Sequence, residues 1–149
     1  MTRSPRSAPA LATLTIALFS AGCAGPMQAG SGRTVIEPTG QGSALFSSAV
    51  QAGQILFLSG VIGRDGPDGV QGATRQALDG VRDRVEAAGA TMADVVQCIV
   101  YLTNMEDYGA MNEAYAEYWP SEPPARTAIA VSEVPASAIL EIACIAAVP

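Results

Sequence analysis

The sequence predicts a single α+β domain in which two helices cover one mixed β-sheet. Its 149 residues are the size of one domain. Hydrophobic residues make up 49% of the chain and charged residues 15%, so the chain can bury a core. Short apolar stretches alternate with two stretches of helical periodicity, in the order strands, helix, strand, helix, strands. This order is typical of helices packed on a single sheet.

The predicted strands of the first half are short and are separated by turn residues. Residues 34–37 and 45–50 are candidate strands, and Gly53 indicates a turn after the second. Residues 54–59 (QILFLS) are apolar and rich in strand-forming residues. The stretch 63–72 is dense in Gly, Asp and Pro, which predicts a loop.

Two stretches have the apolar spacing of amphipathic helices, and a strand lies between them. Apolar residues recur every three or four positions in 73–88, and Gly89 follows where a C-terminal cap belongs. Residues 94–102 (DVVQCIVYL) form a long apolar strand. Asn104 can cap the second helix, which ends at Pro120. The apolar stripe of this helix is Tyr108, Met111, Tyr115 and Trp119.

The last part of the chain supplies two more strands. A Pro-rich loop leads to a predicted strand at 126–131, and Pro135 marks a turn before a final strand at 139–147. The folded domain therefore spans 34–149.

Residues 1–22 have the layout of a bacterial signal peptide. Two arginines precede an apolar run of 11 residues, 10–20, which is too short to span a bilayer. The sequence Ser-Ala-Gly-Cys then resembles a lipoprotein cleavage box that ends at Cys23. We expect an exported protein that is either periplasmic or anchored to a membrane by a lipid on Cys23, and the sequence leaves both open. Residues 23–33, rich in Gly, Ala and Ser, form a predicted flexible tether.

The composition excludes several catalytic mechanisms. The chain has no histidine, and its eight basic residues are all arginines. A Schiff-base lysine, a Ser-His-Asp triad and imidazole metal ligands are therefore excluded. The net charge of −6 becomes about −8 without the two arginines of the signal segment, and this disfavours nucleic acid as a partner.

Several segments together resemble the reactive-intermediate deaminase (Rid, or YjgF) family, from about residue 35 to the C-terminus. The family has a chorismate-mutase-like α+β sandwich and assembles as a homotrimer with active sites between subunits. Its best-known members hydrolyse enamines and imines such as 2-aminoacrylate to 2-keto acids and ammonia, without a metal or organic cofactor. The segments that carry the resemblance are FSSAV at 46–50, LSG at 58–60, EAAGATMADVV at 86–96, MNEAYAEYWP at 111–120, PPART at 123–127 and EIACIA at 141–146.

The resemblance implies catalytic roles for Arg126 and Glu141. Arg126 matches the arginine that binds the substrate carboxylate, a task that suits a planar guanidinium. Glu141 matches the glutamate that positions water and moves a proton, and a lone acid in an apolar strand needs a partner or a raised pKa. The alternatives are a salt-bridged strand arginine and a core acid paired with a structural arginine. We expect the two side chains to face each other from neighbouring strands.

Four further positions match the substrate pocket of the family. The backbone of Ala128 would bind water or the released ammonia. Ser59 and Asn112 match pocket-lining residues. Ser59 could equally be a strand-end hydroxyl, and Asn112 could equally be a helix-surface residue. Phe46 departs from the family, in which a tyrosine hydroxyl points into the pocket, and so lacks a hydrogen-bond donor.

Cys98 and Cys144 allow two interpretations. They could form a disulfide if their strands are adjacent, but small buried apolar residues are the favoured interpretation.

Two other functions also remain open. One is a non-catalytic protein that binds small carboxylates or protects other proteins, and the other is ribonuclease activity, which the acidic charge disfavours.

Overall fold

The chain forms one mixed β-sheet with two helices, as predicted. The computed structural model describes residues 32–40 and 42–148, so the signal segment, Cys23 and most of the tether lie outside the described residues. The strands are β1 (Arg33–Ile36), β2 (Ala49–Ala52), β3 (Ile55–Leu58), β4 (Val61–Gly63), β5 (Val95–Leu102), β6 (Ala125–Ala130) and β7 (Leu140–Ala147), and the helices are α1 (Gly69–Ala87) and α2 (Tyr108–Ala116).

Strand β7 is the centre of the sheet. The strand order is β1-β2-β3-β7-β5-β6, and β4 also pairs with β7, beyond the end of β3. These pairs are antiparallel, except that β5 and β6 are parallel. The chain between β5 and β6 contains α2, which provides the crossover that a parallel pair requires. Gly53, with φ of +61°, makes the tight turn between β2 and β3.

The core lies between the sheet and the helices. Alternate residues of β7, beginning at Leu140, are buried, so one face of the sheet carries the core. The predicted apolar stripe of the first helix is confirmed, because Leu78, Val81 and Val85 are fully buried. Helix α1 packs on β3, β4, β7 and α2. Neither helix of the described part is long and apolar enough to cross a bilayer.

The first half of the chain differs from the prediction at three places. Helix α1 begins at Gly69 rather than at residue 73, and its first turn buries Val70. Strand β2 begins at Ala49, because the residues before it leave the sheet and bond to other loops. Strand β4 was not predicted. It lies against α1 so closely that a Cβ on Gly63 would be 2.1 Å from the backbone oxygen of Ala73.

The second helix is shorter than its apolar stripe predicts. The Asn104 side chain accepts a hydrogen bond from the backbone N–H of Glu106, so the predicted cap is confirmed, but it caps a 3-10 turn, Met105–Asp107. The α-helix ends at Ala116, before Pro120. Tyr108, at the start of the stripe, is 39% exposed.

Cys98 and Cys144 form a disulfide, so the favoured interpretation of the sequence was wrong. Cys98 on β5 and Cys144 on β7 are directly opposed register partners, with Cα atoms 4.1 Å apart. Both are also buried in the core, as expected of small apolar residues. The bond depends on the pairing of β5 with β7, which local patterns do not specify.

Reducing this disulfide should destabilise the domain. For two cysteines 46 residues apart, the chain-entropy model predicts a loss of about 4 kcal/mol in the free energy of unfolding. Urea unfolding of the oxidised and reduced protein measures this difference. Trypsin should also leave residues 85–126 and 127–149 joined until a reductant is added. Separate peptides without reductant would contradict the disulfide.

Candidate active site

Arg126 is a half-buried cation stacked on aromatic rings. Its side chain leaves the edge strand β6 towards α2, where Nη2 donates to Asn112 Oδ1 at 2.6 Å and to the Tyr108 hydroxyl at 3.3 Å. The guanidinium carbon lies 4.6 Å from the ring centroid of Tyr115. No carboxylate of the described residues is at ion-pairing distance from Arg126. The salt-bridged alternative is therefore not found in the described part, and the charge is available to an anion.

A cleft of about 390 Å³ opens beside Arg126. It falls in the size range of small-molecule sites. The prolines of the PPART segment form one wall, and their restricted φ angles make that wall stiff. Its lining residues are Asn112, Tyr115, Ala116, Trp119, Pro123, Pro124 and Arg126.

Tyr115 forms the buried side of this cleft. Tyr115 is 4% exposed, and its hydroxyl has no hydrogen-bond partner among the described residues. Burial raises the pKa of the phenol to about 12, although the charge of Arg126 acts in the opposite direction. Tyr115 is therefore a neutral donor at physiological pH.

Glu141 lies on the opposite face of the sheet. Its neighbours Leu140 and Ile142 are buried in the core, so the alternation of β7 directs the Glu141 side chain away from the helices. Gly60, at the break between β3 and β4, makes room for it, since a Cβ there would be 1.6 Å from Glu141 Oε1. Glu141 lines a cleft of about 190 Å³ with Tyr101, Val131, Glu133, Val134 and Ala143.

Arg126 and Glu141 do not face each other within one protomer, contrary to the expectation from the sequence. Strand β5 lies between their strands, β6 and β7. Arg126 also points towards α2, whereas Glu141 points away from the helices. Their strands were expected to be neighbours because they are consecutive in the chain, but β7 pairs instead with β5.

The other predicted pocket residues are spread over the domain. Asn112 contacts Arg126, as the pocket interpretation requires. Ser59 lies at the break beneath Glu141, and its hydroxyl donates to the Ser47 carbonyl at 2.7 Å. Phe46 is on a loop, is 55% exposed and lines neither cleft.

Ala128 lies on the edge strand β6, opposite Val100 of β5. The Val131 N–H donates to the Leu102 carbonyl of β5 at 2.9 Å. Because backbone groups point alternately to the two sides of a strand, those of Ala128 are directed to the free edge. This orientation fits the backbone role that the resemblance gives Ala128.

Sequence reasoning missed the aromatic partners of Arg126. Tyr108 and Tyr115 were assigned only to the apolar stripe of the second helix. Tyr108 precedes Asn112 by four residues and Tyr115 follows it by three, which places all three on one helix face. That spacing was a usable signal.

The face of the sheet away from the helices carries exposed apolar side chains. Phe57 is 49% exposed and Ile129 is 41% exposed on this face. One row of register partners runs across four strands, through Val35, Val50, Phe57 and Ile145. Exposed apolar patches of this kind mark interaction surfaces.

The described residues contain no group of three or more acidic or cysteine side chains that could hold a metal ion. Their chemistry is that of an arginine, a neutral phenol, an amide and a carboxylate. These groups can bind a small anion and transfer protons.

Comparisons with known proteins agree with this architecture. A family model described as Endoribonuclease L-PSP matches residues 38–148. A RutC family protein of Pyrococcus horikoshii is 40% identical over 107 residues, which are 68% of this chain and 85% of that protein. The chloroplastic Reactive Intermediate Deaminase A of Arabidopsis thaliana is 36% identical over 107 residues, 68% of this chain and 57% of that protein. The crystal structure of E. coli TdcF with bound serine has a TM-score of 0.69 and 27% identity, and covers 78% of this chain and 99% of that chain.

The raised pKa of Tyr115 should make the domain sensitive to alkali. Unfolded phenols ionise near pH 10, whereas Tyr115 in the folded protein stays protonated to about pH 12. The free energy of unfolding should therefore fall as the pH rises through this window. Tyr115→Phe should reduce that slope by up to about 1.4 kcal/mol per pH unit, as urea unfolding at pH 9, 10 and 11 would measure. An unchanged slope would contradict the assigned pKa.

Proposed function

Because the chain belongs to the Endoribonuclease L-PSP (Rid/RutC) family, we propose that it is a deaminase that hydrolyses enamines and imines of 2-amino acids to 2-keto acids and ammonia. The observation that carries this proposal is the half-buried Arg126 guanidinium beside a cleft of about 390 Å³, with no carboxylate of the described residues paired to it. A relative named as a reactive intermediate deaminase supports the chemistry. A structural neighbour with bound serine, which carries a carboxylate, supports a ligand of this size.

Arg126 binds the substrate carboxylate in this proposal. A guanidinium can donate two parallel hydrogen bonds to a carboxylate and stays charged at any physiological pH. Asn112 and the Tyr115 ring fix the plane of the guanidinium before the substrate arrives. This preorganisation lowers the cost of ordering the side chain on binding.

Glu141 transfers protons and directs water. In its acid form it donates a proton to the enamine carbon, which gives the protonated imine. The resulting carboxylate accepts a proton from water as the water oxygen bonds to the imine carbon, which gives a carbinolamine. Glu141 then donates this proton to the nitrogen, the C–N bond breaks to release ammonia, and the hydroxyl proton passes to the Glu141 carboxylate, which leaves the keto acid and restores the acid form of Glu141.

The complete site lies between two protomers in this proposal. Arg126 and Glu141 point from opposite faces of one sheet, so a site that uses both needs the β6 edge of one protomer against the helix-free face of another. The exposed Phe57 and Ile129 support burial of that face on assembly. We propose a homotrimer, in which cyclic symmetry repeats this composite site three times.

The Arg126 and Glu141 variants test the reaction. With 2-aminoacrylate generated in the assay, Arg126→Ala should lower kcat/KM about 10- to 100-fold, through lost hydrogen bonds to a charged group. Glu141→Gln should lower kcat about 100-fold, because proton transfer is lost. Arg75→Ala is the matched control, because it removes an arginine from a surface ion pair with Glu117. Keto-acid formation is the measurement, and full activity of Arg126→Ala would contradict the proposed function.

Mixing the two impaired variants tests the composite site. Co-refolded Arg126→Ala and Glu141→Gln chains in equal amounts should regain about a quarter of wild-type activity, because random cyclic trimers restore that share of the sites. No recovery despite mixed trimers would place both residues in one protomer. Keto-acid binding by the wild type without turnover would instead support a non-catalytic carboxylate-binding protein.

We also propose that the domain is exported. The basic and apolar layout of residues 1–22 supports export, and so does the Cys98–Cys144 disulfide, because disulfides persist in oxidising compartments. The mature protein should therefore lack residues 1–22. Intact mass spectrometry will distinguish a lipid on Cys23 from an unmodified N-terminus, and a retained residue 1 would contradict export.

A further inference from the structure

Arg84 is a buried cation that the proposed mechanism does not use. It extends from α1 and is 8% exposed. No carboxylate of the described residues is at ion-pairing distance, and its Nε has no hydrogen-bond partner there. Burial lowers the pKa of Arg84, and the negative charges of Glu37 and Asp83 only partly oppose this shift. Burying such a charge is costly, so its presence calls for a role other than stability.

The guanidinium of Arg84 acts on one backbone carbonyl. Its Nη1 donates to the Ser59 oxygen at 2.8 Å, where β3 has ended and β4 has not begun. This charge-assisted hydrogen bond fixes the backbone between β3 and β4 from the side of the sheet that faces α1.

The same break anchors the loop that carries Phe46. The Ser59 N–H donates to the Ser48 carbonyl at 3.0 Å, and the Ser59 hydroxyl donates to the Ser47 carbonyl. Glu37 accepts hydrogen bonds from the Ser48 N–H and hydroxyl, which lower its pKa and keep it charged. Arg84 and Glu37 therefore fix two sides of one junction.

The Glu141 side chain lies directly against this junction. The residue after Ser59 is Gly60, whose missing side chain leaves the space that Glu141 Oε1 occupies. Ile62, two residues further on, is the register partner of Glu141. A shift of the backbone at Ser59 and Gly60 by a fraction of an ångström would therefore change the space in which the Glu141 carboxylate lies.

We infer that Arg84 is a positioning residue for Glu141, acting through the backbone of Ser59 and Gly60. The inference rests on the proposed function, because Glu141 is the proton-transfer group there. Misplacement of such a group by about 1 Å lowers the rate strongly while substrate binding by Arg126 is retained. Arg84 thus affects kcat rather than KM.

Three variants on α1 test this inference in the full chain. Arg84→Met removes the guanidinium but keeps an unbranched apolar side chain in place of the arginine stem, and Arg84→Lys restores a charged donor. Arg82→Met is the matched control, because Arg82 is more exposed and pairs with Asp79 on the same helix. The measurements are kcat and KM for 2-aminoacrylate, thermal unfolding, and hydrogen exchange of the backbone between residues 55 and 63.

We expect Arg84→Met to lower kcat about tenfold with KM within about twofold of wild type. Arg84→Lys should recover most of this loss, and Arg82→Met should show none. The melting temperature of Arg84→Met should be equal to or above that of the wild type, because a buried charge has been removed. Hydrogen exchange at Ser59 and Gly60 should become faster in Arg84→Met alone.

Three results would overturn the inference. The first is unchanged kcat in Arg84→Met, and the second is unchanged exchange at the break in the same variant. The third is a lower melting temperature with parallel losses in kcat and binding that lysine does not rescue, which is the behaviour of a purely structural residue. Absence of turnover by the wild type would overturn the proposed function instead, and the exchange measurement would then decide whether Arg84 holds the break.

Discussion

Strand β7 imposes the constraint on which the rest of the domain depends. It pairs with β5 on one side and with β3 and β4 on the other, so both its edges are hydrogen-bonded to strands that are distant in the chain. Its alternate residues build the core and include Cys144, which joins β5. The residues between them, Glu141 among these, are directed to the helix-free face. The core, the disulfide and the position of Glu141 therefore all follow from the register of β7 with its neighbours. A shift of that register by one residue would turn the core side chains to the helix-free face and Glu141 to the core.

The two charged groups of the proposed site are held by different physical means. Arg126 is oriented by stacking on Tyr115 and by hydrogen bonds to Asn112 and Tyr108, which leave its charge unneutralised among the described residues. Glu141 is oriented by the absence of a side chain at Gly60. Contacts with aromatic rings suit Arg126, whose proposed task is to bind the substrate. Contact with the backbone suits Glu141, whose carboxylate must stay in a fixed place while it transfers protons.

The individual elements could be predicted closely from the sequence, except where tertiary contacts override local patterns. The apolar stripe through Leu78, Val81 and Val85 specifies α1, and Asn104 specifies a cap. Strand β4 was not predicted because three residues in a Gly-rich stretch carry too little periodicity, and it is the pairing with β7 and the packing against α1 that stabilise them. The contact of Asn112 with Arg126 was within reach, since helical spacing predicts which residues share a face.

The sequence by itself determined the fold class, the family resemblance and the absence of histidine and lysine chemistry, and it predicted Arg126 as the carboxylate ligand, because these depend on composition, short periodicities and motifs. Only the tertiary structure decided that Cys98 meets Cys144, that β5 separates Arg126 from Glu141, and that these two point to opposite faces. The reason is that period-two alternation fixes which residues share a face of one strand, but not which strands become neighbours. That choice is made by contacts between residues far apart in the chain.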